Sequence, residues 1–339
     1  MSELNYNHVT VEENGCDLET FKNKYFDTHT PVLIKGGIKD WPAYKKWDID
    51  YLIETVGDYQ LEIRERDDRN IDDYDGEEPE LDKVSNYFRA LKDESKANEI
   101  HYARQSTILP EIPALRKDIM VPPYVQTVAK SVIAPFIPEN EMRNPVGWFG
   151  PKNTYSHTHW DMEHNIFAQV KGSKRFILVS PDESVAMVPH RYTLKELGQS
   201  AMAKEHFPRF EKHLRKILKK LQSELKRPPT TEEFHQRLRD VLEDKHLYAL
   251  CEIILQLHGY RANLETPDYE QFPQLKEINP LQAIVEAGDI LYVPLQWRHC
   301  VRSLSTSFSL NWFFLPSINE KINPRYIILQ STLSHLLAE

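Results

Sequence analysis

The chain has 339 residues, with 51 acidic against 42 basic side chains, a net charge of −9 and a pI near 5.9; that balance argues against general attraction to nucleic acid or anionic membranes. Its three cysteines, Cys16, Cys251 and Cys300, are far apart and odd in number, so no disulfide framework is expected and a reducing, cytoplasmic setting is, or a nuclear one in a eukaryote. The N-terminus has no basic and apolar leader pattern and no apolar run approaches about 18 residues, which predicts a soluble protein with no membrane partner.

In chain order, Asp17 is placed to cap a short helix over 17–28, with Phe21 and Tyr25 four residues apart on one face. Pro31-Val32-Leu33-Ile34-Lys35 reads as a buried strand closed by Gly36-Gly37. A helix is expected over 50–56 and a strand over 60–64. Residues 67–82 are mostly acidic with few apolar side chains, the pattern of a solvated loop; closure over a basic substrate is the functional alternative. Residues 83–96 predict a helix whose apolar stripe is Val84, Tyr87, Phe88 and Leu91. Prolines divide 108–138 into short irregular pieces, and core strands are expected to begin near Val146-Gly147-Trp148-Phe149.

The most informative stretch starts at Tyr155-Ser156-His157-Thr158-His159-Trp160-Asp161. His159 and Asp161 stand two apart, and in an extended strand such residues project to one face, so an imidazole and a carboxylate converge where a divalent metal can sit. The β-rich runs that follow predict a hairpin about Gly172-Ser173, with Lys171 opposing Lys174, Gln169 opposing Phe176 and Phe167 opposing Leu178. Counted along odd numbers, Asn165, Asp161 and His159 then share a face with Lys174. A lysine buried in a barrel is costly unless an anion meets it, so the pattern asks for an acidic ligand beside the metal.

Residues 190–261 read as a helical insertion, with Phe210, Leu214, Ile217, Leu218 and Leu221 at three-and-four spacing and a capping signal at Thr230-Thr231-Glu232-Glu233. Its 204–227 run holds nine Lys/Arg and three Glu, a local +6 in an acidic protein. That basic helix reads as a solvated outer face, a homodimer interface, or a surface for RNA such as tRNA or for an acidic protein. Placed at the mouth of the site, the insertion is expected to govern what is hydroxylated. Next, Gly288-Asp289-Ile290-Leu291-Tyr292-Val293-Pro294 predicts a turn and a strand that lead into Trp297-Arg298-His299. His159, Asp161 and His299 would make the two-histidine, one-carboxylate set of non-haem Fe(II) oxygenases. Zinc accepts the same donors, so a hydrolase or a metal-binding protein without oxygenase turnover stays open. Cys300 should face away from His299 and reads as a packed thiol. Residues 323–337 read as a final helix.

Taken together, His159-Trp160-Asp161, the run from Asn165 to Arg175, Pro267-Asp268-Tyr269-Glu270-Gln271-Phe272-Pro273, the Gly288 to His299 stretch and Ser309-Leu310-Asn311-Trp312-Phe313 resemble the JmjC-type, cupin-fold Fe(II)/2-oxoglutarate dioxygenases, above all the asparaginyl hydroxylase branch typified by factor inhibiting HIF. The resemblance implies iron held by His159, Asp161 and His299, with Lys174 pairing the distal carboxylate of 2-oxoglutarate. Asn165, Asn311 and Ser156 would line the cosubstrate pocket, and Tyr102 falls near a family tyrosine of similar role. Implied too is oxidative decarboxylation to succinate and CO2 with hydroxylation of a protein or peptide side chain; tRNA-base hydroxylation and N-methyl demethylation are the alternatives. Where the asparaginyl hydroxylases hold the target amide with an Arg-Gln pair this chain has His258-Gly259, so asparaginyl specificity does not carry over. The expected fold is a single α+β domain with a β-dominated core, a double-stranded β-helix of the cupin type. Its parts would be a mixed N-terminal portion over 1–140, barrel core over 141–189 and 262–316, the insertion over 190–261 and a C-terminal helix over 317–339.

Overall fold

In the computed structural model the described residues are 6–56, 59–63, 80–93, 95, 103–106, 112–128, 145–161, 163–181, 183, 220, 223–227 and 262–314. Residues 1–188 with 262–321 form one compact unit, and 189–261 with 322–339 form a second. Most of the basic run 204–227, the rest of the insertion and the C-terminal helix lie outside the described residues.

The strands of the first unit make two sheets. One is ordered β1 (Asn7–His8), β11 (Leu281–Glu286), β10 (Ser173–Val179), β13 (Arg298–Ser303), β8 (Tyr155–His159). The other is ordered β2 (Thr10–Glu12), β3 (Val32–Ile34), β12 (Ile290–Val293), β9 (His164–Lys171), β14 (Ser307–Phe314), β7 (Val146–Gly150), β6 (Ala103–Ser106). Phe167 of β9, Leu291 and Val293 of β12, Phe176 and Leu178 of β10, and Ala283 and Val285 of β11 form one buried apolar cluster, so the sheets face each other across it. This is the double-stranded β-helix expected from the sequence. The N-terminal segment serves both layers: β1 runs parallel to β11, β2 runs parallel to β3, and Val9 between them is buried.

The hairpin expected about Gly172 does not form. β9 pairs with β12 and β14, whereas β10 pairs with β11 and β13, so the strands on either side of Gly172 belong to different sheets. Gly172 is the corner between them, with φ 73°, and a Cβ added there would lie 2.2 Å from the Thr306 carbonyl oxygen. The shared inner face survives across the sandwich, with a different partner: the rings of Phe167, expected opposite Leu178, and Phe176 meet edge to face at 4.8 Å. β9 is buried on both faces from His164 to Val170. Its sequence therefore lacks the alternation that separates a hairpin strand from one that turns into a second sheet.

Helices cover the other face of the seven-stranded sheet, where Ile166, Ala168, Val170, Ile290, Tyr292, Leu310 and Trp312 are buried. Asp17 caps α1 (Leu18–Thr20), its carboxylate accepting the Thr20 N–H at 2.8 Å. The helix continues as a π-helix over Phe21–Phe26, and the wider turn buries Phe26 beside the expected Phe21 and Tyr25. Phe21 packs on Tyr292 at 5.1 Å and Phe26 on His164 at 4.9 Å. α2 (Pro42–Lys46) and α3 (Ile49–Val56) follow. α4 (Val84–Ala90) buries the predicted stripe, although it stops short of the expected end at 96. β4 (Gln60–Ile63) pairs with β5 (Glu80–Lys83), so the last residues of the stretch read as an acidic loop find their backbone partners in a strand. α5 (Pro113–Arg116) and α6 (Pro123–Val128) both open on proline, whose missing N–H costs nothing at a first helical position. Beyond α5 the buried Asp118 carboxylate accepts from Lys46 Nζ at 2.9 Å, Trp47 Nε1 at 3.2 Å and the Tyr51 hydroxyl, tying α2 and α3 to the chain that follows α5.

Candidate metal centre

The register of β13 brings the predicted donors together. His299 lies opposite Leu178 on one side and opposite His159 on the other. Directly opposed residues share a face, and Leu178 belongs to the interior cluster, so both imidazoles are turned between the sheets. Their ring centroids are 4.4 Å apart. Asp161 is not on the strand as the i, i+2 reading has it, because β8 ends at His159 and the chain turns. Its carboxylate still reaches the same point, with Oδ1 3.9 Å from His159 Nε2 and Oδ2 3.6 Å from His299 Nε2. One donor atom from each of the three residues lies within 4.8 Å of the other two.

Each imidazole is oriented by the carbonyl two residues before it. His159 Nδ1 is 2.6 Å from the His157 oxygen, and His299 Nδ1 is 3.0 Å from the Trp297 oxygen. A carbonyl only accepts, so Nδ1 carries a proton in both rings and Nε2 is the nitrogen that each ring turns to the centre. Two imidazoles and a carboxylate are a donor set that fits a divalent Fe(II) or Zn(II) ion. The side chains of His159 and Asp161 are 30% and 21% exposed while that of His299 is 4% exposed, so the centre opens on the His159–Asp161 side.

The remaining predicted residues are distributed along the interior. Lys174 of β10 lies opposite Ser303, four residues from the Leu178–His299 rung, or about 13 Å at roughly 3.3 Å per residue. It is 1% exposed, its Nζ stands 5.5 Å from the Phe167 ring centre, and burial pushes its pKa down to about 7. Asn311 lies opposite Phe167, and its Oδ1 accepts the Trp148 Nε1–H at 2.7 Å. Asn165 shares the inner face of β9, and its buried Oδ1 has no hydrogen-bond partner among the described residues. Ser156, opposite Val301, is buried on the His159 face because a bulge interrupts the β8–β13 ladder. Tyr102 and the His258-Gly259 pair lie outside the described residues.

Two interior polar groups escaped the sequence reading. Ser309 lies opposite Gln169, both are fully buried, and Ser309 Oγ and Gln169 Oε1 lack partners among the described residues. The signal was present in β14, where Ser307, Ser309 and Asn311 alternate with Phe308 and Leu310. With Asn165 they give the interior orphaned polar atoms that suit a polar ligand. Cys300 faces away from the centre as expected; burial pushes its thiol up to about 12, beside Tyr155. That outer face is closed by the segment after residue 261, where Thr158 Oγ1 donates to the Ala262 carbonyl and Tyr6 Oη to that of Leu264. Among the described residues no helix is long and apolar enough to cross a membrane.

Two facing sheets with a histidine–aspartate–histidine cluster between them define a cupin-type domain with a candidate metal centre. The chain belongs to the cupin-like domain family, whose model matches residues 18–320. It is 26% identical over 318 residues to Jumonji C domain-containing protein 5 of Drosophila melanogaster, covering 90% of this chain and 62% of that protein. It is 26% identical over 304 residues to lysine-specific demethylase JMJ30 of Arabidopsis thaliana, covering 89% and 54%. Lysine-specific demethylase 8 of Xenopus tropicalis is 24% identical over 297 residues, covering 88% and 51%. The chain thus spans between half and two thirds of the length of these curated relatives.

Proposed function

We propose that this protein is an Fe(II)- and 2-oxoglutarate-dependent oxygenase that oxidises a C–H bond on a protein side chain. The observation that carries the reading is the pairing, in one interior, of the three-donor cluster with the buried Lys174. A zinc hydrolase has no need of such a lysine, whereas a dicarboxylate cosubstrate does. His159, Asp161 and His299 would hold the metal. Lys174 would pair with the distal carboxylate of 2-oxoglutarate, with Asn165, Asn311 and Ser156 lining the path between. When bound, iron and cosubstrate supply the oxidising power: one oxygen atom of O2 ends in succinate, CO2 is released, and the other atom is inserted into the target C–H bond. The protein's part is to keep the lysine end dry and leave the His159–Asp161 side open, where a side chain can approach.

Hydroxylation at carbon is one reading and rests on the block resemblance to the asparaginyl hydroxylases alone. Two relatives named as lysine-specific demethylases give better support to the other, in which the same insertion occurs on an N-methyl group and the carbinolamine then releases formaldehyde. Lysate proteins and tRNA incubated with active protein and with Asp161→Ala, then compared by mass spectrometry, separate these outcomes. Side-chain hydroxylation appears as a gain of one oxygen on a peptide. Demethylation appears as loss of a methylene equivalent from methyl-lysine with formaldehyde. Modified nucleosides with unmodified peptides would overturn the protein-substrate reading.

A further inference from the structure

The turn between β12 and β13, from Pro294 to Trp297, is held more firmly than a connection needs to be. Gln296 sits at φ 63°, a region that costs a non-glycine residue energy and persists only where its surroundings over-determine it. Those surroundings are identifiable. The Leu295 N–H points at His164 Nδ1 at 3.4 Å, and the Gln296 N–H donates to the Asp161 carbonyl at 3.0 Å. Trp297 Nε1 donates to the His29 carbonyl at 2.9 Å, and the Trp297 carbonyl in turn receives His299 Nδ1 at 3.0 Å. One turn therefore touches two of the three metal donors, Asp161 through its backbone and His299 through its ring.

The anchor at the far end of this chain of bonds is the N-terminal helix. His29, at φ 51°, follows the π-helix in a reversal closed by His29 N–H to the Phe26 carbonyl at 3.1 Å and Thr30 N–H to the Tyr25 carbonyl at 2.9 Å. Phe21, Tyr25 and Phe26 lock that helix into the core on the outer face of the seven-stranded sheet. A carbonyl in a free turn would be a poor ruler for an imidazole. Here the ruler is fixed to a buried aromatic helix more than 260 residues away in sequence.

We propose that Trp297 is a positioning residue for the metal centre, its carbonyl setting the plane of the His299 ring while its indole N–H, bonded to His29, holds that carbonyl in place. The inference rests on the proposed metal site and adds a role for the N-terminal segment in it. Outer partners of metal-bound histidines typically contribute about 10–100-fold in metal affinity, because the ring they fix no longer has to be ordered on binding.

The test is calorimetry and visible spectroscopy of Co(II) binding to the full chain. Trp297→Phe keeps the ring and removes the N–H; it should weaken Co(II) binding by about 10-fold or more and alter the ligand-field bands. Trp41→Phe, at a core ring that packs on Trp312 at 5.7 Å, should lower thermal stability and leave Co(II) binding as in the unaltered chain. Should Trp297→Phe fail to fold, His29→Gly carries the same test. It keeps the left-handed backbone, leaves the indole intact and loosens the carbonyl, so it should shift affinity in the same direction by less. Unchanged affinity and bands in Trp297→Phe, or in His29→Gly where that variant is used, overturn the proposal. Equal Co(II) binding by the unaltered chain and by Asp161→Ala instead overturns the metal site on which it rests.

Discussion

Replacing Lys174 with Met should make the protein more stable in the absence of cosubstrate and deaf to its presence. Lys174 is 1% exposed, and burial brings its pKa from the ordinary 10.5 down to about 7. That gap, at roughly 1.4 kcal/mol per pH unit, corresponds to a cost of about 5 kcal/mol for keeping the group charged in place. Near pH 7 burial thus disfavours the charged form. Removal should therefore recover about 2–4 kcal/mol, several degrees in Tm for a chain of this size. The pH dependence has a definite sign: between about 7 and 10.5 the unfolded chain holds a proton that the folded chain has lost, so wild-type stability rises with pH across that window and Lys174→Met lacks the rise. 2-Oxoglutarate should restore the charged form and stabilise the wild type by about 2.7 kcal/mol at a hundredfold excess over its Kd. Thermal unfolding of the Mn(II)-loaded proteins, with and without 2-oxoglutarate, measures all three effects. A Lys174→Met protein that is less stable than wild type, and that 2-oxoglutarate still stabilises, would refute the reasoning.

Two further outcomes follow from the packing. Gly172→Ala combines a left-handed backbone with a Cβ 2.2 Å from a carbonyl oxygen at the point where the chain changes sheets, and should cost about 2 kcal/mol or more in chemical unfolding; a cost under about 0.5 kcal/mol would mean the corner is not fixed by glycine. Asp118→Asn removes a buried charge that accepts from Lys46, Trp47 and Tyr51, none of them a residue of the candidate centre, and should destabilise by about 1–3 kcal/mol while Co(II) binding stays unchanged. The same Co(II) measurement checks the second half.

The clustering of His159, Asp161 and His299 was legible because each signal was local. His159 and Asp161 stand two apart, and the Gly-Asp turn before His299 announces its strand. In that turn Asp289, 2% exposed, accepts from Gly36 N–H at 3.1 Å, Glu286 N–H at 3.0 Å and Lys35 Nζ at 2.6 Å, stitching β3 to the barrel. The interior position of Lys174 was also readable, though by a route that the structure replaces. Parity along a strand says which face a residue takes, whereas the partner strand depends on long-range pairing; the count that placed Lys174 holds for a sandwich as for a hairpin. Long-range bonds were not readable at all. Nothing near Trp297 indicates that its indole meets His29, and nothing in Phe21 to Phe26 distinguishes a π turn from an α turn.

The most direct measurement of the central claim is succinate production from 2-oxoglutarate by the purified protein, with Fe(II) and oxygen present and each withheld in turn. Under the oxygenase reading, succinate forms slowly without a protein substrate, needs both Fe(II) and oxygen, and is absent in a folded Asp161→Ala variant. Succinate formed equally by Asp161→Ala, or no succinate from metal-loaded wild-type protein even with its lysate substrates present, would contradict it.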